Sequence, residues 1–220
     1  PAWACGVAGL RTTPGRVPSY KASSPTRVIS NQMMSVQGPL ARSVADLRLA
    51  LQVMSRGSAL DPAWVPAPLE HADLHARPLR VAVFARHPGF DADRGIEAAV
   101  RQAGRWLAEA GCAVEEAEPP RFEEGAALWR QLVMDDLRRA GRAAVARLGD
   151  AGVQGALEGY LHGLEPLGAD GLLEALARGF DVCREWSVFL ERFDVLVMPN
   201  SWQRPFAVDD WQPFRPKGMV

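Results

Sequence analysis

Apolar residues recur at helical spacing in an early part of the chain. They stand three, four and three residues apart, at Val44, Leu47, Leu51 and Met54. This spacing places the four side chains on one face of a helix. Ser43 can cap the start of that helix, and Gly57 is placed to end it. The pattern therefore predicts an amphipathic helix between Ser43 and Gly57, with its apolar face buried.

A second pattern predicts a strand, a helix and another strand. Residues 79–84 form a run that becomes wholly apolar, as in a central strand. The helix after it has one apolar face and ends at Gly111, and the face consists of Ile96, Val100, Ala103 and Leu107. Residues 113–118 then form a short strand that Pro119 ends. This order predicts a βαβ unit with parallel strands and a right-handed crossover.

The remaining segments alternate between loops and helices. Residues 1–40 are rich in Gly, Pro, Ser and Thr, which indicates loops, and 27–29 is their one strand-like run. Residues 122–192 favour helices, broken near 149–155 and 163–168. Residues 194–198 read as a buried strand that a proline ends. Together these elements predict an α/β fold.

Composition and charge exclude several classes of protein. Lysines and arginines number 25 against 26 acidic residues, for a net charge of −1, so nothing indicates a nucleic-acid partner. No apolar run approaches the roughly 20 residues that a membrane span needs. Three cysteines, an odd number set far apart, argue against a disulfide framework. A reducing, cytoplasmic location is therefore expected.

Two motifs carry a specific resemblance. The opening run, PAWACGVAGLRTTPGRV, and the later run GPLARSVAD at 38–46 are similar to segments of the amidase signature family, in the family's order. In the first run the family usually has Lys-Pro-Thr where this chain has Arg11, Thr12 and Thr13. The βαβ unit and the DVLVMP run at 194–199 resemble later family segments, although they would fit many α/β proteins.

The resemblance implies an α/β/α sandwich with a mixed, mostly parallel central sheet covered by helices. It divides the chain into a conserved core at 1–57, a linker at 58–78, the βαβ unit at 79–120, a variable helical block at 121–192, and a strand with a truncated end at 193–220. We interpret the whole, residues 1–220, as a partial amidase domain.

The resemblance also implies an activity. Family members hydrolyse the C–N bond of a small-molecule amide through an acyl-serine intermediate, with a serine, a bridging serine and a lysine, and without a cofactor or metal. These residues precede the position that matches Pro1, so we expect no catalytic residue in this chain and no activity from the chain alone. The family's C-terminal segment is expected beyond Val220. A homo-oligomer is possible for the intact enzyme.

Candidate site residues follow from the two motifs. Trp3, next to the family's nucleophile position, is the residue here best placed to contact substrate. The other motif residues are assigned structural roles, and they are Gly6, Gly9, Gly15, Gly38, Pro39, Arg42 and Asp46. The glycines suit positive φ angles or close backbone approach. Arg42 and Asp46 stand four apart and can form an ion pair on a helix.

Substitute sites are weaker hypotheses. Lys21 lies among serines without the S-x-x-K spacing, so a solvated lysine is the preferred interpretation. Cys5 has no histidine close in sequence and is interpreted as a packed structural residue. His71 and His75 have ligand-like spacing but prolines around them, which favours a surface pair. Two alternative functions stay open: a non-catalytic amidase-like interaction protein, and the amidase subunit of a glutamine amidotransferase.

Overall fold

The computed structural model describes residues 2–22, 27–70 and 77–205. The chain divides into two compact units, residues 1–71 and 72–220. The boundary falls within the segment 58–78, whose described residues contain no helix or strand. Each unit is described by itself.

The first unit is built from short elements. Its helices and strands, in chain order, are α1 Ala2–Cys5, β1 Ala8–Gly9, α2 Ile29–Met34, β2 Leu40–Ala41 and α3 Val44–Met54. The two strands pair antiparallel, with Ala8 opposite Ala41. This small pairing brings the middle of the opening motif beside residues 40–41 of the second motif.

The second unit contains the longer elements. Its strands are β3 Arg80–Val83, β4 Ala113–Glu116 and β5 Val195–Val197, and its helices are α4 Arg94–Glu109, α5 Phe122–Asp136, α6 Arg142–Leu148, α7 Ala151–Leu161 and α8 Ala169–Arg192. A π-helical turn, Leu137–Gly141, joins α5 to α6. The α/β class expected from the sequence is confirmed.

The three strands of the second unit form a parallel sheet in the order β4–β3–β5. Arg80 lies opposite Ala113 on one side, and Val81 lies opposite Val195 on the other. The parallel pairing of β3 with β4 confirms the predicted βαβ unit. β3 is therefore the central strand. The chain passes from β3 to β4 on one side, and β5 later pairs with the other side of β3.

Alternate side chains of β3 bury against two different layers, as the period of a strand requires. On one face, Val81 and Val83 pack with Val100 of α4. On the other face, Ala82 packs with Phe189 and Phe193 at the end of α8. The second unit is therefore an α/β/α arrangement around one central strand.

A glycine permits the close approach of α4 to the sheet. Gly104 is buried within α4, and a Cβ atom there would lie 2.9 Å from Cγ2 of Val83. This is closer than carbon atoms approach without one of them moving. The helix ends as predicted before Gly111, which has a φ of +91°.

Two local predictions were wrong. Residues 27–29 do not form a strand, because Ile29 begins α2 and Gln32 bonds back to the chain, its backbone N–H to the Val28 carbonyl and its side-chain amide to Arg27. The predicted apolar face of α3 is only partly buried. Leu47 is buried, whereas Val44, on the first turn of α3, remains 75% exposed.

The helical block is interrupted at both predicted places. Residues 162–168 separate α7 from α8, as predicted, whereas the first break is confined to residues 149–150. Gly149 separates α6 from α7, and Asp150 caps α7 by accepting a hydrogen bond from the Val153 N–H at 2.8 Å. The helix then continues through residues 152 and 155, which are both glycines. The break is shorter than predicted because the Asp150 cap starts α7 directly after Gly149, and both glycines then lie within that helix.

Candidate functional site

The glycines of the two sequence motifs lie where backbone segments of the first unit touch. A Cβ atom on Gly9 would lie 2.8 Å from Cβ of Ala2, and a Cβ atom on Gly38 would overlap the Leu10 carbonyl. Leu10 in turn donates its N–H to the Pro39 carbonyl at 3.0 Å. The motifs are therefore interlocked through close backbone contacts that a larger residue would disturb.

Positive φ angles account for two other motif glycines. Gly6 has a φ of +63° at the end of α1, and Gly15 has a φ of +81°. The carbonyl of Gly15 accepts a hydrogen bond from the Val65 N–H at 2.9 Å. A Cβ atom on Gly15 would lie 2.5 Å from the Ala63 carbonyl oxygen. Both angles are ones that glycine adopts without the steric cost of a side chain.

Polar side chains of the opening motif anchor it to later loops. Buried Thr12 donates its hydroxyl to the Gln37 carbonyl at 2.9 Å. Arg16 donates to the carbonyls of Ala67 and Pro68. These bonds satisfy backbone carbonyl oxygens in loops, which have no hydrogen-bond partner in a helix or strand. Thr12 and Arg16 therefore hold the loops in place.

The start of α3 differs from the expected ion pair. Ser43 caps the helix by accepting the Asp46 N–H at 3.1 Å, and its hydroxyl donates to the Asp46 carboxylate at 2.7 Å. Arg42 lies outside the helix, ahead of its first residue. The predicted helical pairing of Arg42 with Asp46 is therefore replaced by a reciprocal cap, in which Asp46 bonds to Ser43.

The remaining candidates of the first unit lie at or near its surface. Trp3 is half-buried in α1, and Lys21 is exposed, as a solvated lysine should be. Cys5 is exposed, so its interpretation as a packed residue was wrong, because the short helix α1 leaves it uncovered. His71 and His75 lie outside the described residues.

In the second unit, Asp194 gathers N–H donors at the N-terminal edge of the sheet. Its carboxylate accepts from the Arg80 backbone N–H at 2.8 Å, and from the guanidinium groups of Arg77 and Arg80. The Asp194 N–H also donates to the Arg80 carbonyl at 2.8 Å. Hydrogen bonds from Arg77 and then Arg80 lower the pKa of Asp194 well below its usual value. Asp194 thus ties the start of β5 to the start of β3.

The opposite edge of the sheet carries an aromatic cluster around a buried histidine. His87 follows β3, and only 5% of it is exposed. Its ring centroid lies within 4.8–6.5 Å of four aromatic rings, those of Phe84, Phe90, Phe122 and Trp202. These residues belong to the loops after β3 and β5 and to the start of α5. In open α/β sheets, ligands bind outside this carboxyl edge, where the strand order reverses.

Polar contacts hold the loops of this edge together. The Gly89 N–H donates to Nδ1 of His87 at 3.0 Å. The Asp93 N–H donates to the Trp202 carbonyl at 2.9 Å, and Arg204 pairs with the Asp93 carboxylate at 2.9 Å. The loop after β5 is therefore fastened to the start of α4 beside the aromatic cluster.

An ion-pair network fixes the start of α5 against α8. Arg121 has a φ of +48°, an angle that is uncommon for a residue with a side chain. It pairs with Glu124 at 2.7 Å and Glu185 at 3.1 Å, and Glu124 also pairs with Arg178 at 2.7 Å. Hydrogen bonds from Arg121 and Arg178 lower the pKa of Glu124 to about 2.

Several of these residues were not singled out from the sequence. Asp194 was noted only as part of a strand motif, and His87 was not considered. Ligands of open α/β sheets bind at the carboxyl edge, and His87 follows a predicted central strand by a few residues, so this placement could have drawn attention to it.

Among the described residues, no three His, Cys, Asp or Glu side chains could together hold a metal ion. None of the helices described is long and apolar enough to span a membrane.

The second unit has an α/β/α fold, and the first unit holds the two sequence motifs in close contact. The sequence matches the Amidase family over residues 1–220. The chain therefore belongs to the amidase signature family, as the sequence motifs predicted.

Two relatives are indoleacetamide hydrolases of Bradyrhizobium. The one from Bradyrhizobium diazoefficiens is 33% identical over 202 residues, which cover 91% of this chain and 38% of that protein. The one from Bradyrhizobium japonicum is 32% identical over 202 residues, 91% of this chain and 43% of that protein. The chain thus spans about two-fifths of the length of these relatives.

A solved structure of fatty acid amide hydrolase has the same fold. It superimposes with a TM-score of 0.75 at 19% identity, and the match covers 97% of this chain and 38% of that one. The likeness supports the fold.

Proposed function

We propose that the protein containing this chain hydrolyses the C–N bond of a small carboxylic amide. The observation that carries the proposal is the 33% identity to an indoleacetamide hydrolase, maintained through 91% of the chain. The match to the Amidase family covers residues 1–220 and so contains both specific motifs, whose glycines make the close contacts described above.

The proposed reaction proceeds through an acyl-serine. A serine hydroxyl attacks the amide carbonyl carbon and its proton passes through a second serine to a neutral lysine. The C–N bond then breaks, and the nitrogen leaves as ammonia or an amine after taking up that proton. Water attacks the resulting ester, which releases the carboxylic acid and restores the serine. By family resemblance, these three residues lie outside residues 1–220.

Within this scheme, the chain supplies support rather than chemistry. The antiparallel pair of β1 and β2 and the helix α1 form the scaffold next to the expected nucleophile position. Trp3 is the residue of this scaffold that we assign to substrate contact, because it is half-buried and close to that position in sequence. We place the protein in the cytoplasm, since the three cysteines are all free among the described residues. The intact enzyme is open to homo-oligomer formation.

The test is an amidase assay on the protein expressed from the complete reading frame that contains residues 1–220. Indoleacetamide, benzamide and glutamine serve as substrates, and both ammonia and the carboxylic acid are measured. We expect equal amounts of the two products from an aryl amide, unchanged by EDTA. Residues 1–220 expressed alone are the matched control and are expected to show no turnover.

Other outcomes would overturn the proposal. Loss of activity with EDTA would exclude the metal-free mechanism. Hydrolysis of glutamine alone, stimulated by a partner subunit, would favour the amidotransferase. Absence of hydrolysis with all three amides, in a protein that unfolds cooperatively, would favour the non-catalytic interaction protein.

A further inference from the structure

His87 lies where the segments that follow all three strands of the parallel sheet converge. It is in the loop after β3, Glu118 is in the loop after β4, and Trp202 is in the loop after β5. The His87 side chain is buried, yet it is the one histidine within the described aromatic cluster. The proposed hydrolysis makes no use of it.

The contacts of the ring fix its tautomer when it is neutral. The Gly89 backbone N–H can only donate, so Nδ1 of His87, 3.0 Å away, must accept. A neutral imidazole has one donor and one acceptor nitrogen, so Nε2 carries the proton. The neutral ring therefore closes the turn from His87 to Gly89 and holds Phe90 beside Trp202, whose rings stack at 5.8 Å.

Two carboxylates flank the ring, one near each nitrogen. Oε1 of Glu118 lies 3.9 Å from Nε2, and Oε1 of Glu123 lies 3.6 Å from Nδ1. Both glutamates are largely exposed, at 62% and 64% of their side chains. They can therefore move towards the ring without losing a buried position. This arrangement suits a positive charge that forms in place.

We propose that His87 is a proton-responsive latch for the carboxyl edge of the sheet. Uptake of a proton at Nδ1 removes the acceptor of the Gly89 N–H and creates a donor that faces Glu123. The bond within the turn is thus exchanged for a bond from the loop to α5. The protonated ring is attracted to the aromatic faces around it. The backbone bond from the Phe90 N–H to the His87 carbonyl, at 3.2 Å, is kept, so the change acts on Gly89 and on the packing of Phe90 against Trp202.

The other charged groups around the cluster are either paired with each other or exposed. On the Trp202 side, Asp93 is paired with Arg204. At the start of α5, Glu124 is paired with Arg121. Arg86 is next to His87 in sequence but exposed, and it lines a small cavity at the ends of β3 and β4 together with Phe84 and Glu118. Glu118 and Glu123 are therefore the groups that face the imidazole.

The latch would act where ligands of α/β sheets bind. Because the loops after β3 and β5 both contact His87, a change in its charge alters the edge as a unit. Histidine is the side chain that ordinarily changes charge between pH 5 and 8. The inference does not depend on the proposed hydrolysis, and its test does not use activity.

The test is an NMR titration, between pH 8 and pH 5, of the protein expressed from the complete reading frame that contains residues 1–220. Nitrogen-15 labels on histidine rings and tryptophan indoles report both partners, and Trp202→Phe assigns the Trp202 signal. We expect the ring nitrogens of His87 and the indole N–H of Trp202 to shift with a common midpoint. At pH 8, the His87 ring should show a bare Nδ1 and a protonated Nε2.

Variants separate the latch from general pH effects. His87→Asn keeps a side-chain acceptor near Gly89 but takes up no proton, so the Trp202 shift should disappear. Glu123→Gln replaces the charged acceptor of the new bond with a neutral amide oxygen and should lower the midpoint by about half a pH unit or more. His162→Asn, a change of a histidine at the end of α7, is the matched control and should leave the Trp202 curve unchanged.

Three results would overturn the proposal. The first is a His87 ring that titrates while Trp202 does not respond. The second is a Trp202 shift that persists in His87→Asn. The third is an unchanged midpoint in Glu123→Gln, a surface substitution that serves as the test even where His87→Asn fails to fold.

Discussion

At the scale of single residues, glycines at backbone contacts have the clearest roles. Gly38 is set against the Leu10 carbonyl, so that a methyl group would overlap a backbone oxygen. The side chain of a neighbour could move aside, but Leu10 directly follows β1 and its N–H is bonded to the Pro39 carbonyl, so its backbone is restrained. The motif glycine is therefore required by the contact itself.

Gly38→Ala is expected to destabilise the protein. Overpacking against backbone typically costs about 1–3 kcal/mol, so the free energy of unfolding should fall by that amount. Urea unfolding followed by circular dichroism measures it. Gly179→Ala is the matched control, because Gly179 lies inside α8 with no atom within 4 Å of a new Cβ. That change should stabilise by about 0.5–1 kcal/mol through helix propensity. Equal effects of the two changes would contradict the assignment.

Asp194 is a second residue whose role can be tested alone. Asp194→Asn keeps the size of the side chain but leaves one acceptor oxygen for the donors of Arg77 and Arg80. We expect a lower midpoint of thermal unfolding and faster amide exchange in β5. Asp181→Asn, which removes a surface partner of Arg184, should change neither. Loss of stability in both variants alike would show that Asp194 is not a special anchor.

At the scale of elements, the joint between α5 and α8 depends on charge. Glu124 bridges Arg121 of the α5 cap and Arg178 of α8. The network restrains Arg121 in its left-handed conformation, and the adjacent Phe122 thereby enters the aromatic cluster. An ion-pair network on the surface thus contributes to the geometry of the carboxyl edge.

Because Glu124 must be ionised to bridge Arg121 and Arg178, we expect the protein to lose stability in acid. The folded-state pKa of Glu124 is about 2, below its ordinary value of 4.5. Because the pKa is depressed on folding, the contribution is fully present above about pH 4.5 and is lost as the pH falls towards 2. Glu124→Gln should therefore lower stability at pH 6 more than at pH 3, as measured by urea unfolding at both values. Glu191→Gln, a change on the exposed end of α8, is the control and should show no such difference. An equal loss at both pH values would contradict the network.

Sequence patterns alone were sufficient to predict the helices and strands with strong apolar periodicity. The βαβ unit and α3 were predicted because apolar spacing and caps agreed, as at Ser43. Sequence patterns were insufficient where contacts distant in sequence decide the structure. The convergence on His87 depends on Glu118 and Trp202, which lie in loops more than 30 residues away. The π-helical turn after α5 is bonded to Leu164 through Arg138. Single-sequence patterns do not encode such contacts.

At the scale of the whole molecule, the chain contains a scaffold with exposed apolar surface. Val44 of α3 and Phe180 of α8 are 75% and 73% exposed. The indoleacetamide hydrolases it resembles are more than twice as long, since the match covers 38% and 43% of them. We expect residues 1–220 alone to bind a hydrophobic dye such as ANS and to self-associate, which light scattering measures. A monomeric chain that binds no dye and unfolds in a sharp two-state transition would contradict this expectation.

We propose that this chain supports a serine-based amide hydrolysis whose nucleophile lies outside residues 1–220. The most direct measurement is labelling of the protein from the complete reading frame with a fluorophosphonate, followed by mapping of the modified peptide by mass spectrometry. We expect a single modified serine outside residues 1–220, with loss of amidase activity in proportion to labelling. A label on a serine within residues 1–220, or full activity after complete labelling, would contradict it.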